Sequence, residues 1–260
     1  MGEKLLSICI PSIVDRSKQL NRLLSELEKQ IKENNYQNEI EIIVAVDNRK
    51  IPVYEKCNNL LEKSNGYYAC GLGDDDMVSS TYIKDIMKIV KLKIYDHITF
   101  NMLYQNKGKE NIMQFSYKNK HFSHIFPFNI KIRYGDYTND KTCLLFKDKV
   151  ITKNKFLIII FLIIFKTFIK KSTSHTWTTM VLKKYIYKSV KFDHHPNEED
   201  MIWGLNISKR NLIKKEYNIK KILYYYRYNR KFSSINKEKI IVEDINHTIQ
   251  PVDKKIIKFI

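Results

Sequence analysis

Glycine is scarce in this chain of 260 residues: there are 7, with 5 prolines and 4 cysteines. So little glycine excludes collagen-like and linker-like chains, and no stretch repeats at the periods of solenoids or propellers. The cysteines, Cys9, Cys57, Cys70 and Cys143, include no CxxC pair. Their spacing fits neither a zinc site nor a disulfide framework, so reduced thiols and a cytoplasmic setting are expected. The opening MGEKLLSICIPS lacks the basic start, long apolar stretch and small-residue cleavage site of a secretory signal. Leu6 stands where a myristoylation signal wants Ser or Thr. A spanning helix needs about 20 apolar residues, and the longest run, FLIIIFLIIF at 156–165, has half that.

Apolar residues make up 43% and charged residues 28%, which favours a folded core over disorder. A domain of this size buries roughly 70–75% of the surface of its unfolded chain, so it needs no covalent staples. Lys and Arg number 46 against 28 acids, a net charge of +18. That balance suits polyanions: nucleic acid, anionic lipid or phosphorylated substrates. However, Lys, Ile, Asn and Tyr are over-used together along the whole chain, and an AT-rich genome would produce the same bias.

Residues 4–10 (KLLSICI) read as a buried strand stopped by Pro11. From Ser17, a candidate cap, to Lys32 the residues Leu20, Leu23, Leu24, Leu27 and Ile31 recur at helical spacing. Residues 39–46 form a second strand ending at Asp47, 54–64 a helix, and GYYACGL a third strand running into Asp74, Asp75 and Asp76. A helix restarts near Ser80. This alternation predicts an α/β fold with a mainly parallel sheet flanked by helices. Such sheets bind ligands beyond the carboxyl ends of their strands. The polar groups ending the three strands, Pro11-Ser12 with Asp15, Asp47-Asn48, and Asp74 to Asp76, are therefore predicted to share one crevice.

Further on, residues 96–146 look β-rich, TMVLKKYIYKSV reads as a helix, and Pro196 with Glu198, Glu199 and Asp200 opens another. KKILYYYRYNRKFSS reads as a strand, and the last 25 or so residues as a helix with a loose tail. The apolar run 156–165, flanked by Lys153, Lys155, Lys166, Lys170 and Lys171, admits three readings. It is a buried core helix, an interfacial segment docking on lipid, or a lid or dimer contact.

Two acidic groups carry candidate chemistry. Adjacent carboxylates at Asp74, Asp75 and Asp76 repel and need a compensating cation. Mg2+ or Mn2+ suits them, since these ions share their remaining positions with waters and substrate phosphates. The competing reading is a helix N-terminus favoured by its dipole. Glu198-Glu199-Asp200 offers a general base for a hydroxyl acceptor, or simply acids in a first helical turn. His194-His195 lacks the spaced partners of a zinc site. His175 and Trp177 either line an acceptor pocket or pack. Tyr224, Tyr225, Tyr226 and Tyr228 with Arg227 and Arg230 make either a stacking platform or one buried strand face.

Taken in order, SICIPSIVDRSKQL, EIIVAVDN, NGYYACGLGDDDMVSSTYI and PNEEDMIWGLNI resemble the signature segments of inverting GT-A glycosyltransferases, the large nucleotide-sugar-dependent family. The resemblance covers about residues 4–90 well and 172–232 loosely. It implies a GT-A-like (Rossmann-like) mixed, mainly parallel sheet over residues 1–235. Residues 1–95 would be the nucleotide-sugar half and 96–235 a β-rich acceptor half with an apolar insert at 150–171. A helical C-terminal extension would cover 236–260. By the resemblance Pro11, Ser12 and Arg16 border the nucleotide, and Asp47 contacts its base or ribose. Asp74 and Asp75 help bind the donor, and Asp74 and Asp76 are the outer acids of a motif for Mn2+ or Mg2+, with Asp76 the direct ligand. Asp200 is the catalytic base and Glu199 its close competitor.

The implied reaction moves a single sugar from a nucleotide-sugar donor, UDP-sugar first, to an acceptor hydroxyl with inversion. The acceptor (glycan, protein or modified nucleic acid) is not implied. The small size and the segment KILYYYRYNRKFSS are also similar to short glycosyltransferase-like proteins of phages and large DNA viruses, which would place the chain in host cytoplasm or virion. Two departures matter: Asp47-Asn48-Arg49 replaces the commoner acidic pair and serine, leaving nucleotide preference open, and no Q-x-x-R-W pattern of processive synthases occurs. Two other readings compete. One is a nucleotidyltransferase using the same acids; the other is a non-catalytic module binding nucleic acid, or a membrane through residues 153–171.

Overall fold

Strand β1 (Leu6–Ile13), a 3-10 turn (Val14–Arg16) and helix α1 (Ser17–Glu33) open the fold. The computed structural model describes residues 4–106, 109–116, 122–125, 130–133, 143–146, 149–164, 169–174, 177–194, 199–227 and 254–258. Strand β2 (Ile40–Asp47), helix α2 (Val53–Lys63), strand β3 (Tyr68–Gly71), the two-residue strand β4 (Met77–Val78) and helix α3 (Tyr82–Val90) follow. β1 lies between β2 and β3, parallel to both, with Leu6 opposite Ile40 and Tyr68.

These strands are covered on both faces, which is why they read as continuous apolar runs. Ile8, Ile10, Ile42 and Val44 face a cluster with Leu20, Leu24 and Leu27 of α1 and Ile83, Ile86 and Met87 of α3. Their neighbours Cys9, Ile43 and Ala45 face Cys57, Leu60 and Leu61 of α2. Period-two alternation in the strands thus feeds two layers of helix.

Pro11 was expected to stop β1, yet the strand continues through it to Ile13. The O atom of Cys9 accepts from Leu72 N–H, so that residue points to the β3 side. Pro11 shares the orientation, and the pairing with β3 ends at Gly71. The missing N–H therefore costs no ladder bond. Ser17 lies inside α1 and makes no side-chain cap; Arg16 holds the cap position after the 3-10 turn.

The second half runs β5 (His97–Asn106), β6 (Lys109–Phe115), β7 (Phe122–Ile125), β8 (Ile130–Arg133), β9 (Cys143–Phe146) and β10 (Lys149–Thr152). Helix α4 (Lys155–Ile164), β11 (Ile169–Ser174), a 3-10 turn (Trp177–Thr179), β12 (Met180–Lys183), α5 (Lys184–Tyr187), α6 (Glu199–Lys209), β13 (Glu216–Arg227) and β14 (Lys254–Lys258) complete it. The described strands share one mixed sheet, in the order β10-β9-β8-β7-β11-β6-β5-β12-β3-β1-β2-β14. β13 adds beside β5 in parallel and pairs β4 antiparallel. Parallel pairing holds for β3-β1-β2-β14, β6/β11 and β5/β13, while β12 inserts antiparallel between β3 and β5.

Three expectations change. Met180–Lys183, read as part of a helix, is the strand that joins the two halves; Met180, Val181 and Leu182 are all buried, and so short an apolar run fits either period. The described part of the C-terminal extension, Lys254–Lys258, is a strand on β2 where a helix was expected. The run 156–165 is helical over Lys155–Ile164, but Phe156 and Ile163 are exposed and Ile158 is buried, so it is not a core helix. Cys9, Cys57 and Cys70 are free and buried, and burial pushes their thiols well up, which leaves them unreactive. His175, His195, Pro196, Glu198, Tyr228 and Arg230 lie outside the described residues.

Candidate active site

The crevice at the carboxyl ends of β1, β2 and β3 is built by chain order alone, since three adjacent parallel strands must end on one side of the sheet. From β1 come Ser12 and, one turn later, Arg16. From β2 comes Asp47. The turn after β3 supplies Asp74, Asp75 and Asp76.

Asp74 is buried and doubly held. Ser12 Oγ donates to its Oδ2 at 2.7 Å and Arg16 Nη1 to its Oδ1 at 2.7 Å. Arg16 also lies 3.3 Å from Asp75 Oδ2. Burial works against the guanidinium charge, but Asp74 and Asp75 together outweigh it and hold the Arg16 pKa above its ordinary value. Arg22, from the next turn of α1, donates to the backbone O of Asp75 at 3.1 Å and of Asp76 at 3.2 Å. The acidic turn is thus cradled by two arginines, one at the cap of α1 and one in its second turn.

Asp76 is buried as well, and Tyr224 of β13 donates its hydroxyl to Oδ2. The same hydroxyl accepts from Gly73 N–H at 3.1 Å. A Cβ at Gly73 would sit 2.5 Å from Asp76 Oδ2, so a larger residue there would push the carboxyl away. Burial first, then Asp75, raises the Asp76 pKa to about 8; the Tyr224 bond and Arg16 pull it down without offsetting the rise. Asp75 is also raised, chiefly by burial.

Asp47 is engaged on both oxygens. Lys56 Nζ lies 2.6 Å from Oδ1, Ile51 N–H donates to Oδ2 at 2.7 Å, and Lys56 also donates to Ser12 O at 2.9 Å. The expected contact of Asp47 with a base or ribose would use the acceptor capacity that these bonds leave on its two oxygens. In this structure Asp47 braces the 48–52 loop and ties β1 to β2. Pro11 is half-buried inside β1.

Glu199 and Asp200 stand in the first turn of α6, each half-buried. Asp200 lies within electrostatic reach of the Tyr226 hydroxyl, on which Asp75 and Asp76 also act. Burial first, then Asp76, Asp75, Tyr104 and Asp200 push the Tyr226 hydroxyl up to about 12. Asp200 and Glu199 both act on Cys57 behind the sheet. A small, open cleft beside Asp75 is lined by Arg22, Met77, Leu103, Gln105, Tyr225 and Tyr226. The Tyr226 ring stacks on Tyr104, centroids 5.4 Å apart.

Trp177, weighed as an acceptor contact, packs instead. It is buried against Gly71, where an added Cβ would lie 1.7 Å from its ring, and meets Trp203 edge-on at 5.6 Å. His194 meets Tyr54 edge-on at 5.4 Å. Sequence reasoning missed Lys56 and Arg22. Lys56 left a signal: it sits one residue before Cys57 and four before Leu60, on the buried stripe of α2, where a lysine requires an acid partner.

The acids fit a divalent cation in part. Among the described residues no three His, Cys, Asp or Glu side chains converge on one point. Asp74, expected as an outer ligand, accepts one hydrogen bond on each oxygen, from Ser12 and Arg16. Asp76 keeps Oδ1, and a buried carboxyl with a raised pKa is one short of positive charge. Mg2+-type sites commonly use one or two carboxylates and take the rest from phosphate and water.

Fold and strand ends together define a GT-A-like α/β domain. Comparison with solved structures agrees: S. aureus TarS residues 1–349 superposes with a TM-score of 0.55 at 13% identity, covering 86% of this chain and 60% of that one. The same TarS region in complex with UDP-GlcNAc gives 0.56 at 13% identity over 91% of this chain and 62% of that one, and its UDP complex 0.51 at 14% over 86% and 60%. The chain therefore spans about three fifths of the TarS 1–349 structures, and at this identity the likeness is one of fold. No protein-family model matches the chain, and no curated protein matches it significantly.

Proposed function

We propose that the protein is a glycosyltransferase taking a sugar from a nucleotide-linked donor, UDP-sugar first, to an acceptor hydroxyl. One observation supports this above the others: Ser12, Arg16, Asp47 and the Asp74–Asp76 turn gather at the strand ends of a fold shared with a protein that binds UDP-GlcNAc.

In this reading Pro11, Ser12 and Arg16 border the nucleotide, with Asp47 and Lys56 fixing the β1 and β2 ends behind it. Arg16 and Arg22 hold the acidic turn in one conformation. Asp76 would hold Mn2+ or Mg2+, whose chemistry when bound is to offset the negative charge of the departing diphosphate. Asp200 accepts the proton of the acceptor hydroxyl as the new C–O bond forms and the anomeric C–O bond to phosphate breaks, with inversion, and Glu199 is the alternative base. The cleft lined by Tyr225 and Tyr226 suits the flat face of a sugar. A single transfer is favoured over polymerisation.

The test is nucleotide release. Wild-type protein incubated with UDP-sugars is expected to liberate UDP, faster with Mn2+, and to be thermally stabilised by UDP. Asp200→Asn is expected to keep the stabilisation by UDP and to lose transfer, by about 10²-fold or more. Release of pyrophosphate from nucleoside triphosphates, with none of UDP, would replace this reading with nucleotidyl transfer. No stabilisation by any nucleoside diphosphate would end it.

A further inference from the structure

Helix α4 (Lys155–Ile164) turns apolar side chains to solvent. Phe156, Leu157, Ile159, Ile160, Ile163 and Ile164 are all exposed, Phe156 and Ile163 at 70% and 69%, whereas Ile158 is buried at 2%. At 3.6 residues per turn the six exposed positions fall within one arc of roughly 160°. A surface helix ordinarily fills that arc with polar groups. Ile151, in the strand before it, is exposed as well. A continuous apolar face of this kind marks an interaction surface. It packs against β9, near the β10 end of the sheet order, many strands from the β1–β3 crevice.

Charge decides what covers it. Between residues 147 and 171 the sequence carries seven lysines and one acid, Asp148. A second copy would bring the same lysines, and another +18, to a self-complementary contact, so like charges would oppose each other. An anionic lipid surface supplies the opposite charge for the lysines and an apolar layer for the six side chains. The helix is about 15 Å long, half the roughly 30 Å of a hydrocarbon core, and no described helix is long and apolar enough to cross a membrane.

We infer that α4 lies in the interface of an anionic membrane and docks the protein there peripherally, its apolar arc inserted and its flanking lysines on the headgroups.

Co-sedimentation of the full chain with vesicles tests this, using phosphatidylcholine alone and with phosphatidylglycerol added, at low and high salt. The expected result is pelleting with the anionic vesicles, weakened but not abolished by salt, and little with the neutral ones. The triple variant Phe156→Gln, Ile160→Gln, Ile163→Gln should lose partitioning by about tenfold or more while keeping its melting temperature. The control Leu92→Gln, Ile94→Gln, exposed apolar residues after α3, should bind like wild type. Three outcomes overturn the inference. They are no pelleting with anionic vesicles at low salt, pelleting by the triple variant equal to wild type, or a wild-type dimer that the triple variant dissolves and that ignores vesicles. UDP release is not read in this test, so its failure leaves the donor chemistry untouched.

Discussion

Replacing Tyr224 with phenylalanine removes one oxygen that serves two partners. That oxygen donates to Asp76 Oδ2 and accepts from Gly73 N–H, and Tyr224 is fully buried. A hydrogen bond to a charged group contributes about 1.5–3 kcal/mol, one to a neutral carboxyl nearer ~1 kcal/mol, and an orphaned buried N–H costs about 1–3 kcal/mol. The two losses share an atom and do not add fully, so roughly 2–4 kcal/mol is expected. At about 2–4 °C per kcal/mol for a chain of this size, the melting temperature should fall by about 4–16 °C. The deficit carries a pH signature. The tyrosine bond pulls the Asp76 pKa down, so its loss moves that pKa further above about 8. The variant should therefore suffer more above that pH, where the wild-type carboxyl is ionised and the bond is charge-assisted. Urea unfolding followed through the buried Trp177 and Trp203, at about pH 6 and about pH 9, reads both effects. A variant whose unfolding free energy lies within about 0.5 kcal/mol of wild type at both pH values would refute the reasoning.

Asp76 itself carries a second prediction. Its folded pKa of about 8 lies above the ordinary value of ~3.9, so its contribution to stability is complete below about pH 4 and is lost as pH rises through 8. Asp76→Asn should flatten that slope and exceed wild type by at least about 1 kcal/mol near pH 8; superimposable pH profiles would count against the burial argument. Lys56→Met leaves the Asp47 carboxylate buried without its cation and should cost about 3–5 kcal/mol, with partial recovery when Asp47→Asn is added. A double variant no more stable than the single would show that the ion pair is not the brace. Gly71→Ala forces the Trp177 ring from its seat and should cost about 1–3 kcal/mol with a changed near-UV circular dichroism spectrum; an unchanged spectrum would mean that the ring is not held there.

The N-terminal half was legible because its signals are local and strong. The buried strands are continuous apolar runs, and α1 shows its leucines at unbroken helical spacing. Both were read within a residue or two of Leu6–Ile13 and Ser17–Glu33, apart from the passage through Pro11. The convergence of Ser12, Asp47 and Asp74 was also readable, because parallel order forces adjacent strand ends together, whereas Arg16 came only from the family resemblance. What escaped was decided by tertiary pairing. Met180–Lys183 has residues that suit either period, and only the gap between β3 and β5 makes it a strand. The grip of Tyr224 on Asp76 spans 148 positions and leaves no local trace in a run of three tyrosines. The α4 run declared its apolar character in sequence but not its exposure, since a buried and a lipid-facing helix share one composition.

Crystals soaked with UDP and Mn2+ and measured at the manganese absorption edge test the shared acidic crevice most directly. The expected result is an anomalous peak at the Asp76 carboxyl, touching the diphosphate, with the uridine beside Ser12, Arg16 and the end of β2. Nucleotide bound on another face, or manganese held by residues outside the Asp74–Asp76 turn, would contradict it.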